Sequence, residues 1–112
     1  MSSPDHPELL CALITLPPDQ APTLARAMVE ARLAACVQQL PVQSTYRWEG
    51  DVESGEEVLL LCKTSSAHWP ALRDWVAARH PYAVPQLTCV PLVGTASPWA
   101  DWLLQSLEPN PT

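Results

Sequence analysis

Residues Leu9 to Leu16 make an apolar run broken only by Thr15, and Pro17-Pro18-Asp19 follow it, which predicts a strand, then a break, then a helix start. Asp19 is placed to act as N-cap, and Pro22 falls in the first helical turn, where a missing N–H costs little. Leu24, Met28, Ala31 and Ala35 recur at helical spacing, with Ala25, Val29, Leu33 and Cys36 as a second row beside them, so this helix shows a broad apolar face. An extended segment over 37–48, a turn at Glu49-Gly50-Asp51 and a second strand over 52–64 read as a hairpin, in which Ser54-Gly55 suggests a bulge or kink. Ser65-Ser66 opens a second helix with Pro70 near its first turn and Trp69, Leu72 and Val76 facing inward. Pro81 ends that helix at His80, because proline pushes the residue before it out of the helical region. A fourth strand is predicted over 84–93, where Pro91 suits an edge or a bulge. Ser97 and Pro98 form an N-cap and first-turn pair, and Trp99, Trp102, Leu103 and Leu107 give the last helix one apolar stripe.

The order is βαββαβ with an added C-terminal helix. It predicts an α+β, ferredoxin-like arrangement whose two crossover helices cover the same face of an antiparallel sheet. The segment Val58-Leu59-Leu60-Leu61-Cys62 is apolar at every position, so its strand needs cover on both faces, and the crossover helices supply only one. An uncovered apolar face of several hundred Å² is about the size at which a patch signals association, so a homo-oligomer is expected. The expected domain layout is a tail over 1–8, one domain over 9–108 and a short tail over 109–112.

Composition strengthens this picture. The chain has 112 residues, the size of one domain; 47% are hydrophobic and only 16% charged, a thin polar surface that points to burial between subunits. A formal net charge of −6 argues against nucleic-acid or anionic-membrane partners, either of which needs a basic stripe. The run from Leu9 is too short for a membrane span or a signal core, so the expected address is cytoplasmic. Cys11, Cys36, Cys62 and Cys89 form no C-x-x-C pair, and reduced thiols are expected.

Few residues can carry chemistry. Lys63, the only lysine, ends the apolar run of the third strand, where it either pairs with a carboxylate or ligand anion or reaches water along the sheet. His80 at a helix C-terminus can interact with the carbonyl end of the helix or ligate copper, zinc or nickel. Cys36 offers a thiolate suited to Cu(I), or else packs as a small apolar residue at a helix-to-strand junction. Tyr46, Trp48, Tyr82, Trp99 and Trp102 read as core and interface aromatics, and Tyr46 and Trp48 share a strand parity. His6 and His68 receive no role. With three glycines, no H-E-x-x-H and no nucleophile, base and orienting acid to assemble, no catalytic residue is assigned and the chain is read as non-enzymatic.

Four segments in order carry a more specific signal: Leu33-Ala34-Ala35-Cys36-Val37, Tyr46-Arg47-Trp48-Glu49-Gly50, Glu57-Val58-Leu59-Leu60-Leu61-Cys62-Lys63-Thr64 and His80-Pro81-Tyr82-Ala83-Val84-Pro85. Over residues 10–107 the chain resembles the CutA family, small trimeric proteins linked to divalent-cation tolerance. The resemblance implies a homotrimer, with copper or another divalent cation as ligand and no cofactor needed for folding. It makes His80 a candidate metal ligand beside Cys36, which matches the cysteine of the family's Leu-Ala-Ala-Cys motif and is a candidate by its thiolate, and it implies an intersubunit cleft formed by Trp48, Lys63, Tyr82 and Gln86 close to His80. Where family members with a proposed copper site carry a histidine pair before Pro-Tyr and a first-strand cysteine, this chain has Arg79-His80 and Ile14, and Gln86 replaces the family's glutamate. The alternative, by analogy with PII-like trimers of related fold, is a signalling or adaptor protein holding a small ligand in those clefts.

Overall fold

The computed structural model describes residues 8–109, so His6 and nearly all of the expected tails lie outside the described residues. The elements run β1 (Leu9–Leu16), α1 (Ala21–Glu30), β2 (Cys36–Trp48), β3 (Asp51–Ser65), α2 (Trp69–Ala77), β4 (Thr88–Pro91) and α3 (Ser97–Leu107). One sheet of order β2-β3-β1-β4 is antiparallel throughout, which is the expected ferredoxin-like arrangement.

The register explains how strands without alternation are accommodated. Ala12, Ile14 and Leu16 of β1 pair with Cys62, Leu60 and Val58 of β3, and all six are buried on one face beneath Ala21, Ala25 and Met28 of α1 and Leu72 and Val76 of α2. Each fully buried aliphatic side chain here contributes about 1.5–3 kcal/mol relative to an exposed one. The opposite face carries Leu9, Cys11, Leu13 and Thr15 of β1 beside Ser65, Lys63, Leu61 and Leu59 of β3. There α3 covers one end only, packing Leu103 and Leu107 with Ala35, Leu9 and Trp99. Leu13, Leu59 and Leu61 remain half-buried, and Leu40 and Val90 on the flanking strands are exposed.

Several local expectations are corrected. Gln20, in helical conformation, occupies the N-cap of α1 instead of Asp19, and it makes no side-chain cap bond. This helix stops at Glu30, so Leu33, Ala35 and Cys36 lie beyond it; Arg32 takes a left-handed φ of 59°, and Leu33 and Arg32 donate to the carbonyls of Met28 and Val29. These two bonds close a Schellman motif with arginine where glycine is usual. Ser54 and Gly55 pair with Thr45 and Ser44 in unbroken register, so β3 has no bulge. Helix α2 ends at Ala77, three residues before His80, although the His80 amide still donates to Val76 O at 2.8 Å. The fourth strand spans only four residues, because Pro85 and Pro91 remove donors and β1 pairs with it only from Leu10 to Leu13. It lies at the sheet edge, as Pro91 requires. Ala96, not Ser97, caps α3, and Trp102 of the expected stripe is 44% exposed.

The hairpin outruns the sheet. Pairing of β1 with β3 stops at Leu16 opposite Val58, whereas β2 and β3 stay paired from Val42–Glu57 out to Trp48–Asp51. The two-residue turn Glu49-Gly50 closes this arm with both φ positive, at 50° and 87°, as a type I′ hairpin requires.

Candidate functional site

The face of the hairpin arm turned away from α1 and α2 is set by strand alternation. Ser44, Tyr46 and Trp48 of β2 stand opposite Gly55, Glu53 and Asp51 of β3, so all three project from this face, and Glu57 follows two residues before Leu59 on the same side. Gly55 adds no side chain there, and a Cβ built on it would meet nothing within 4 Å. The floor is therefore bare between the aromatic rings and Glu57.

The second wall is the irregular segment 81–87 after α2. Its position is fixed by His80, whose Nε2 lies 2.8 Å from the carbonyl oxygen of Thr15 and whose Nδ1 lies 3.1 Å from the backbone nitrogen of Tyr82. A carbonyl can only accept and an amide N–H can only donate, so the network assigns a neutral ring with its proton on Nε2. Both imidazole nitrogens are thereby engaged. The ring also packs against Tyr82 at 4.8 Å between centroids, tilted 56°. Tyr82 then reaches across, its hydroxyl donating to Glu57 Oε2 at 2.8 Å. Desolvation, the hydrogen bond to Glu57, and the charges of Glu57 and Tyr46 together push the Tyr82 hydroxyl up to about 12, so it stays protonated and holds the carboxylate in place.

Between the arm and this segment lies a cavity of about 720 Å³, within the range of small-molecule sites. Trp48, Tyr82 and Gln86, three of the four residues expected in a cleft between subunits, line this cavity of the single chain together with Tyr46, Glu57 and Thr15. Lys63 does not. It sits six residues along β3 from Glu57, roughly 20 Å away at the rise of an extended strand. There its amine donates to the side-chain oxygen of Gln38, a neutral partner instead of a carboxylate.

Cys36 is half-buried at the start of β2, opposite Lys63, and Cys11 flanks the same lysine from β1. Burial pushes the Cys11 thiol up despite the nearby Lys63 charge, and raises Cys62 on the other face to about 12. His80 therefore lies at the Thr15 end of the sheet and Cys36 at the Lys63 end, and the fold does not bring the two together. Among the described residues no three His, Cys, Asp or Glu side chains converge as a metal cluster. Glu57 was missed by the sequence reading. Strand parity could have placed it on the open face, but its meeting with Tyr82 depends on the path of segment 81–87.

Comparisons with known proteins bear on this arrangement. A family model described as CutA1 divalent ion tolerance protein matches residues 10–106. The chain is 44% identical over 96 residues to the divalent-cation tolerance protein CutA of Thermus thermophilus, covering 84% of this chain and 93% of that one. It is 41% identical over 99 residues to Protein CutA of Homo sapiens, covering 87% of this chain and 55% of the human protein, so it spans just over half the length of that relative. The solved structure of CutA from Synechococcus elongatus superposes with a TM-score of 0.88 at 36% identity, covering 92% of this chain and 93% of that one. The matched strands, hairpin and helices take in every segment described above, and the chain belongs to the CutA1 divalent ion tolerance family.

Proposed function

We propose that three copies of this chain associate through the open face of the sheet into a non-enzymatic trimer that acts in divalent-cation tolerance, with copper as the cation. The observation that carries the assembly is the half-covered apolar row Leu13, Leu59 and Leu61, flanked by exposed Leu40 and Val90, which α3 leaves unroofed. A row of that kind in a chain with so few charges is stable only when another surface covers it. The net charge of −6 favours cationic ligands by its field alone. On this reading soft Cu(I) meets the Cys36 thiolate, while copper at His80 must displace either the Thr15 carbonyl or the Tyr82 amide from the ring. Four free cysteines suit a reducing, cytoplasmic setting.

Native mass spectrometry with stepwise Cu(I), Cu(II) and Zn(II), on the wild type, His80→Ala and Cys36→Ala, tests both halves. A trimer that takes up about one metal per subunit and loses it in one variant supports the reading. A monomer stable at micromolar concentration sinks the assembly, and a metal-free trimer sinks the copper assignment.

A second reading, a signalling or adaptor trimer, is supported by the cavity at Trp48, Tyr82 and Gln86. Saturable binding of a small organic ligand there, abolished by Trp48→Ala, would favour it over metal tolerance.

A further inference from the structure

The helix layer, on the far side of the sheet from the open apolar row, carries a groove of its own. Helices α1 and α2 both cover the buried face of the sheet, and the bond between His80 and Thr15 draws the end of α2 to the end of β1, a few residues before α1 begins. Asp19 just before α1 and Arg79 just after α2 therefore come to one end of this layer. There they line a cavity of about 370 Å³ whose apolar walls include Leu16, Leu24, Trp75 and Pro81. Asp19 and Arg79 are its only charged side chains; they do not pair with each other, and neither takes part in an ion pair among the described residues. Arg79 is nevertheless held in place. Its guanidinium carbon stands 4.2 Å from the centre of the Trp75 ring, and Nη1 donates to the Trp75 carbonyl at 3.0 Å, so a single one of its N–H groups is spent on the chain. Association through the opposite face of the sheet leaves this groove uncovered.

We infer that the groove binds a zwitterionic amino acid with an apolar side chain, its carboxylate on Arg79, its ammonium on Asp19 and its side chain against Leu24 and Trp75. The charges exclude the other classes in turn. A simple anion that pairs with Arg79 meets the Asp19 carboxylate in the same cavity, and a simple cation that pairs with Asp19 meets the guanidinium. A hard divalent cation needs about six oxygen ligands, and the one carboxylate in the lining does not supply them. A neutral apolar molecule would cover both charges and satisfy neither. An apolar amino acid supplies a counter-charge to each rim and buries its side chain between the helices. The site is also partly pre-organised, because the ring and the carbonyl of Trp75 fix the guanidinium before a ligand arrives.

This groove shares no lining residue with the cavity at the hairpin arm, so the inference goes beyond both readings above and is tested apart from them. The full chain, labelled with ¹⁵N, is titrated with L-leucine, with N-acetyl-L-leucine as the anion and with L-leucinamide as the cation, at constant ionic strength and a pH of about 6.5, where α-amino groups are protonated. The expected result is a saturable shift of the Trp75 indole N–H with leucine, and binding roughly tenfold weaker for each analogue. Asp19→Asn is expected to weaken leucine roughly tenfold and leave N-acetyl-leucine unchanged, whereas Arg79→Gln weakens leucine to a similar extent and leaves leucinamide unchanged. Asp19 is exposed, so its replacement leaves the core intact, and an unchanged spectrum elsewhere shows that each variant is folded. If either analogue binds as well as leucine, or if either variant binds leucine as the wild type does, the zwitterion assignment is overturned. If no probe shifts Trp75, the groove is no ligand site and the inference falls.

Discussion

His80 Nε2–H donates to the carbonyl of Thr15 at 2.8 Å, joining the end of the α2 connection to the end of β1 across 65 residues of sequence. The other nitrogen of the ring receives the Tyr82 amide, so one imidazole holds both a strand end and the wall of the cavity. Replacing His80 with Ala leaves the Thr15 carbonyl and the Tyr82 N–H without these partners and is expected to cost about 1–3 kcal/mol. Urea unfolding in the presence of a chelator measures this without contribution from metal. An unchanged midpoint would mean that water replaces both bonds and that the histidine is free for another role.

The Tyr82 hydroxyl, raised from 10.0 to about 12, gives a pH dependence of defined sign. The folded state holds this proton more tightly than the unfolded chain does, so the contribution is fully present below pH 10 and is lost as pH rises from there through about 12. The chain has only two tyrosines, so Tyr46→Phe leaves Tyr82 as the sole phenol in an ultraviolet titration. Its ionisation is expected near 12, and Glu57→Gln should bring it down towards 10. A midpoint that ignores Glu57 would place the whole shift in desolvation.

Glu49 occupies a left-handed position in the hairpin turn that asparagine adopts more readily. Glu49→Asn is expected to stabilise the protein by about 0.5–1 kcal/mol, read as a higher denaturation midpoint at fixed protein concentration. No gain would indicate that the Glu49 side chain makes a compensating contribution at the tip of the arm.

Arg32 combines two opposed effects. Its left-handed backbone, at φ 59°, carries strain that glycine would not, while its guanidinium donates to the carbonyl of Ser106 at 3.0 Å and ties the end of α1 to α3. Arg32→Ala keeps the strain and loses the bond, for an expected loss of about 1–2 kcal/mol. Arg32→Gly loses the bond but relieves the backbone, and its stability is expected to fall between alanine and wild type. Hydrogen exchange in α3 should accelerate in both variants. Equal stability of all three proteins would show that α3 docks without this tie.

The order of elements, the antiparallel sheet and the burial of Val58, Leu60 and Cys62 could be read from the chain, because apolar periodicity and proline placement are local properties. So could the family, since four ordered segments of mixed residue type carry it. Local signals also misled at particular positions. Asp19 and Ser97 look like caps, yet Gln20 and Ala96 occupy those positions, and Ser54-Gly55 keeps an unbroken ladder because the long hairpin holds it in register. The site itself was decided in three dimensions. Trp48, Tyr82 and Gln86 share a cavity while Lys63 and Cys36 stand at the far end of the same sheet face, and Glu57 becomes the partner of Tyr82. Sequence spacing fixes which face of a strand a residue occupies, because side chains alternate with period two. Which residues from distant segments meet on that face depends on how far each strand extends and where the proline-bounded connection crosses it, and that is settled only when β1 stops at Leu16 and His80 finds the Thr15 carbonyl.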